Sequence, residues 1–256
     1  MTEEFSHEES ISGSSRRLFI SIGGCGVNSA KVADKATKAA DTIKSGQAVV
    51  TMSTTANGNT QQTIDGGTFT LKPQVITLNQ SNQNQQTTHY YFVGNTLYFQ
   101  MANKWYRQKV ADNSPILQNT KRALTSASAT DILKGMKSDL KAKSNKNTYT
   151  LSYSGNSSKA KKVAQKIIKA ESGSKANTTS QYKVSHLTFS YTVNKKTYLP
   201  TKSTIKMKYT DGSKGATTST VSGSYEDINK VKKVDVPAQV TMSSKQLPAK
   251  LAKALF

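Results

Sequence analysis

Few side chains in this sequence could do covalent or proton-transfer chemistry. Cys25 is the only thiol, and the histidines are His7, His89 and His186. None of the three lies in a metal-ligand spacing such as His-Glu-x-x-His, which sets two imidazoles on one helix face. There is no Gly-x-Ser-x-Gly elbow to expose a nucleophilic serine and no phosphate-cradling P-loop. Gly23-Gly24-Cys25-Gly26 does not follow a strand in a βαβ unit, so it is not a dinucleotide fingerprint. Asp65, Asp211, Glu226 and Asp227 are read into turns, where caps and solvated charges outnumber general acids. These patterns predict a protein that is not an enzyme and holds no metal or cofactor. With one thiol there is no disulfide framework either, so the body must be held by its core.

Cys25 closes the run Leu18-Phe19-Ile20-Ser21-Ile22-Gly23-Gly24-Cys25, and a polar stretch opens at Asn28. Ile22-Gly23-Gly24-Cys25 resembles a lipobox, in which an apolar and two small residues precede the cysteine that becomes acylated. On that reading Cys25 carries a lipid and residues 1–25 hold an extension and an export signal. Arg16 and Arg17 supply a basic n-region, and Ser15-Arg16-Arg17-Leu18-Phe19-Ile20 also looks like a twin-arginine signal. The apolar run is at the short end of the about 7 to 15 residues a signal uses. A small buried cysteine in a short apolar run has the same appearance. Met1–Ser14 carries Glu3, Glu4, Glu8 and Glu9 with no Lys or Arg, and is set aside from fold reasoning. No stretch approaches the ~18 to 20 apolar residues that span a bilayer, so membrane attachment would come through the lipid on Cys25.

The formal net charge is +21, from 36 Lys and Arg against 15 Asp and Glu. Setting aside residues 1–25, with their two Arg and four Glu, leaves 34 against 11. Nearly all of this excess is lysine spread along the chain; only Arg107 and Arg122 lie in the body. Nucleic-acid binders cluster their basic residues and favour the bidentate guanidinium, so this pattern argues against nucleic acid. Dispersed lysine suits an anionic envelope of wall polymer and lipid headgroups, and it equally suits a well-solvated surface.

The elements that must position any site follow from periodicity. Ser29–Lys44 places Val32, Ala36, Ala39, Ala40 and Ile43 at helical spacing, with Ser45-Gly46 as its stop. Strands are expected at 47–54, 68–71 and 74–79, with Asn57-Gly58 as a hairpin turn. In His89–Met101, a two-residue loop at Gly94-Asn95 pairs Val93 with Thr96, Phe92 with Leu97, Tyr91 with Tyr98 and Tyr90 with Phe99. Trp105 and Tyr106 belong to the next strand. Helices are expected at 115–124, at 131–140 capped by Thr130, and at 158–170 capped by Ser157 or Ser158. Strands return at 148–154, 184–193, 197–209 and 216–225, with a last short strand stopped by Pro237. Residues 241–256 read as a tail with a weak helix.

A cysteine near the N-terminus, a long first helix, the Tyr91–Tyr98 hairpin, the Tyr191–Pro200 turn and the closing Tyr225–Pro237 segment follow one another in this order. That order resembles the LolA/LppX-like bacterial lipoproteins, and most closely the DUF6612-type Gram-positive surface lipoproteins. The resemblance covers about 29–240 and implies an α+β fold, a curved antiparallel incomplete β-barrel packed over several helices around an apolar cavity. It implies one domain at 26–240, with 241–256 as a tail, and a lipoprotein at the cell surface, anchored on the extracytoplasmic face of the membrane, that binds or transfers a lipid or acyl chain. Phe92, Leu97, Phe99, Met101, Trp105 and Met207, chosen from the apolar strand faces, are the expected ligand-binding residues. The alternative is a ligand-free surface adaptor docking its lysines on anionic cell-wall polymer or a protein partner.

Overall fold

Asn28 starts the first helix, α1 (Ser29–Ala40), by accepting the Lys31 N–H on its side-chain oxygen at 2.9 Å. The computed structural model describes residues 27–83, 86–172, 182–212 and 215–255. Helix α1 buries Val32, Ala33 and Ala36. It ends earlier than its periodicity predicts, because Thr42 turns back onto the Ala39 carbonyl with both its N–H and its hydroxyl. Ser45 and Gly46, expected as the stop, already belong to the first strand.

From there the chain runs as a meander: β1 (Ser45–Ala56), β2 (Asn59–Leu71), β3 (Gln74–Asn82), β4 (Thr87–Val93), β5 (Thr96–Met101) and β6 (Lys104–Lys109). The β4–β5 register is the one that the Gly94-Asn95 loop predicts, from Val93 opposite Thr96 to Tyr90 opposite Phe99. After β6 come α2 (Pro115–Leu124) and α3 (Ala127–Met136), then a 3-10 turn at Lys137–Asp139 and β7 (Lys141–Ser144). Next are β8 (Thr148–Gly155), α4 (Ser158–Ser172), β9 (Tyr182–Asn194), β10 (Pro200–Asp211) and β11 (Ala216–Glu226). The last elements are α5 (Ala238–Ser243), β12 (Lys245–Gln246) and α6 (Ala249–Leu255).

Among the described residues the strands form one 12-stranded sheet in the order β12-β6-β5-β4-β3-β2-β1-β11-β10-β9-β8-β7. All pairs are antiparallel except β12 on β6. The sheet stays open, with β12 and β7 at its edges, and packs its concave face on helices: the half-barrel of the expected α+β class. Two meanders build it, and they join only where β1 pairs β11 from Gln47 opposite Glu226 to Ala56 opposite Thr217. To pass from β6 near one edge to β7 at the other, the chain crosses the concave face through α2 and α3.

Two apolar clusters result. One gathers Val32, Ile132, Leu133, Leu151, Ile167 and Phe189, from α1, α3, α4, β8 and β9. The other gathers Phe69, Ile76, Phe92, Leu97, Leu117 and Leu124, under α2. Several expectations change. Thr130 does not cap a helix; α3 begins at Ala127, and the Thr130 hydroxyl donates to the Ser126 carbonyl at 3.2 Å. The strand expected before Pro237 is absent: Asp227 and Asn229 adopt positive φ, and Asn229 N–H donates to the Ser45 carbonyl, turning the chain away from the sheet. The segment from Thr241 adds β12 to the edge and buries Leu247.

Candidate functional site

The inward positions of the central strands do not all reach helix. Val50 and Met52 of β1, Leu78 of β3, Phe92 of β4, Ile205 of β10 and Val221 of β11 form the floor of a cavity of about 380 Å³. Its roof is α2 and the start of α3, with Ile116, Ala123, Leu124 and Ala129 turned toward it. It lies over the β1–β11 seam, between the two clusters, and its wall is predominantly apolar. Protein interiors normally leave few voids larger than one water, so a hollow of this size is a built feature. The cause is visible in the packing. The Leu124 side chain of α2 sits on Gly67 of β2: a Cβ there would stand 2.9 Å from Leu124 Cδ2 and 2.9 Å from the Thr77 carbonyl oxygen. Helix α2 packs chiefly on β1, and the hollow beside it extends toward β10 and β11.

Polar groups interrupt the apolar wall at two places. On the floor, Asp65 is only 7% exposed and accepts a hydrogen bond from Gln80 Nε2 at 2.9 Å. Burial pushes its carboxyl above the ordinary aspartate value, with the Gln80 bond opposing. Tyr90 beside it is raised too, by burial first and then by the Asp65 charge. At the rim, Arg122 Nη2 donates to Asp131 Oδ2 at 2.6 Å and to Ser128 Oγ at 3.3 Å. Its Nε is buried without a hydrogen-bond partner. Glu171, exposed as a residue, accepts from Ser128 Oγ at 3.1 Å, and desolvation of its carboxyl raises its pKa. Two buried phenols flank the seam: Tyr191 pairs with Ser126 and Tyr225 with Ser203, each at 3.1 Å, and burial pushes both up to about 12.

Of the six residues expected to bind ligand, Phe92 lines this cavity. Leu97 and Phe99 are buried in the cluster under α2, and Met101 packs against it. Met207 is buried in the other cluster. Trp105 lies on the opposite face of the sheet, its ring 5.7 Å from that of Tyr91, because β6 pairs Trp105 with the outward Gln100. Asp65, expected in a turn, is in the middle of β2 with its side chain inward; this corrects the earlier reading. Its position two residues before Gly67 and four before Phe69 on the same face was the available signal. Gln80, Arg122 and Glu171 were also missed. His89 and His186 lie toward the surface, each bonded to one uncharged neighbour, Asn79 and Ser154. Among the described residues no group of three or more His, Cys, Asp or Glu could hold a metal ion. No helix there is long and apolar enough to cross a membrane. Cys25 lies outside the described residues.

An open antiparallel sheet wrapped over helices, with an apolar hollow on its concave face and no metal cluster among the described residues, defines a cavity-bearing α+β protein. The chain belongs to DUF6612, a family of unknown function, whose model matches residues 28–245. No curated protein matches it in sequence. Among solved structures it is similar to the lipoprotein LppX of Mycobacterium tuberculosis, at 9% identity and a TM-score of 0.46, covering 80% of this chain and 97% of that one. It is similar to LprF of Mycobacterium bovis, at 12% identity and a TM-score of 0.44, covering 82% and 97%. A LolA superfamily protein of Nitrosomonas europaea aligns at 10% identity and a TM-score of 0.30, covering 86% and 98%.

Proposed function

We propose that this protein is a membrane-anchored extracytoplasmic lipoprotein that binds or passes on a hydrophobic ligand in the cavity beneath α2, without catalysing a reaction. The cavity carries this reading. At about 380 Å³ it falls at the small end of the roughly 300 to 1,000 Å³ typical of ligand sites, a size for one alkyl chain. Each buried methylene contributes about 0.8 kcal/mol, so a tail of ~10 carbons supplies several kcal/mol after the cost of ordering it. The lipobox-like Ile22-Gly23-Gly24-Cys25 supports the anchor, with Cys25 as the acylated residue.

The test is direct. Solvent extraction of protein purified from its native membrane should recover lipid, and the purified protein should bind a fluorescent alkyl probe with an uncharged head. Ala123→Phe, which puts a ring into the cavity, should weaken that probe at least about tenfold with little change in melting temperature. A protein that yields no lipid and binds no probe would not be a carrier.

A further inference from the structure

The polar groups in the cavity wall are unequally satisfied, and the inequality describes a ligand. Asp65 is a buried carboxyl with one donor, Gln80, on Oδ1. Among the described residues, no Lys or Arg forms an ion pair with it. Buried polar atoms in folded proteins are nearly always hydrogen-bonded, and leaving one unmatched is costly. Glu171 adds a second carboxyl at the rim. The one cation among the described lining residues, Arg122, has its charge met by Asp131 at 2.6 Å. Its Nε is buried and has no hydrogen-bond partner.

Building on the carrier reading above, we propose that Asp65 selects the ligand's head, so that the cavity takes a long-chain amphiphile ending in an uncharged hydroxyl and disfavours one ending in a carboxylate. A hydroxyl donates one hydrogen bond and accepts others, so it can donate to the Asp65 carboxyl with no charge of its own to desolvate. A carboxylate would enter beside the buried Asp65 carboxyl, with which no cation pairs among the described residues, where like charges repel strongly. An ammonium head suits Asp65 but must shed a costly hydration shell and approach through a lysine-rich surface. The raised pKa of Asp65, caused first by burial, agrees with a carboxyl that has no cation beside it.

Competition against the uncharged fluorescent probe tests this with three ligands of equal chain length, dodecanol, dodecanoate and dodecylamine, at about pH 8, where the latter two are charged. The wild-type protein should bind dodecanol at least about tenfold more tightly than dodecanoate. Asp65→Asn keeps the shape and a polar group, and should bring the two within about threefold, chiefly by tighter dodecanoate binding; a thermal melt verifies that the variant is folded. Dodecanoate binding as tightly as dodecanol in wild type, an unchanged gap in the variant, or dodecylamine as the tightest ligand would each overturn the proposal while leaving the carrier reading intact. Failure of the uncharged probe to bind at all would remove both.

Discussion

Asp65 occupies an inward position of an alternating strand, where a β-branched aliphatic residue would pack without penalty. Its ionised form is desolvated and compensated only by Gln80. A carboxyl whose folded pKa is raised binds its proton more tightly in the folded state than in the unfolded chain. Its contribution therefore favours folding fully below the unfolded value of about 3.9 and is lost as pH rises through the folded value. Asp65→Asn removes this dependence. The variant should melt higher than wild type at neutral pH, and the gain should disappear below about pH 4; calorimetry across that range checks both. An unchanged melting temperature at neutral pH would mean that the cavity hydrates Asp65 as well as bulk water does. The residue was not legible as a site because the strand was read only from residue 68, which left Asp65 in a turn. The close approach of both Leu124 Cδ2 and the Thr77 carbonyl oxygen to Gly67 explains why glycine stands in mid-strand.

Elements with a local signal were readable, and those fixed by tertiary contact were not. Helix α2 starts and ends where predicted, because Pro115 presets its first turn and Leu117 and Leu124 fall on one face. The β4–β5 hairpin was readable residue by residue because a two-residue loop leaves no freedom of register. Strand β7, Lys-Ala-Lys-Ser, has no apolar alternation to read, being an exposed edge with a single neighbour. The cavity lining was unreadable for a related reason. Lining and core residues share one alternation, and the path of α2 and α3 across the sheet decides which is which. That path depends on how closely α3 approaches α4. Gly135 of α3 abuts Val163 of α4, and a Cβ there would stand 2.5 Å from Val163 Cγ2. Alanine gains up to about 1 kcal/mol in helix propensity, while overpacking a well-filled contact costs ~1 to 3 kcal/mol. The branched valine is too stiff to yield, so Gly135→Ala should destabilise by about 1 kcal/mol or more in urea unfolding. Adding Val163→Ala should restore much of that loss relative to Val163→Ala alone; purely additive effects would show that the two helices do not meet there as described.

At the scale of the whole molecule, charge and lipid make different predictions for how the protein would be held at a membrane. The chain carries a net charge of +21, and exposed lysines attract anionic surfaces only within a screening length of about 8 Å at physiological salt and about 3 Å at 1 M. Attraction of that kind is released by salt. A lipid anchor is not, because burying its methylenes contributes about 0.8 kcal/mol each whatever the ionic strength. The wild-type protein should incorporate a palmitate analogue during growth and stay with the membrane fraction through a 1 M salt wash. Cys25→Ser should lose the label, and whatever remains bound should leave in salt, because the lysines alone then hold it. The same pair of measurements separates the carrier from an adaptor that docks on anionic wall polymer. Wild-type protein washed off by salt, with Met1 retained and the Cys25 thiol unmodified, would leave lysine as the only tether. The hollow under α2 would then need a ligand that arrives from solution.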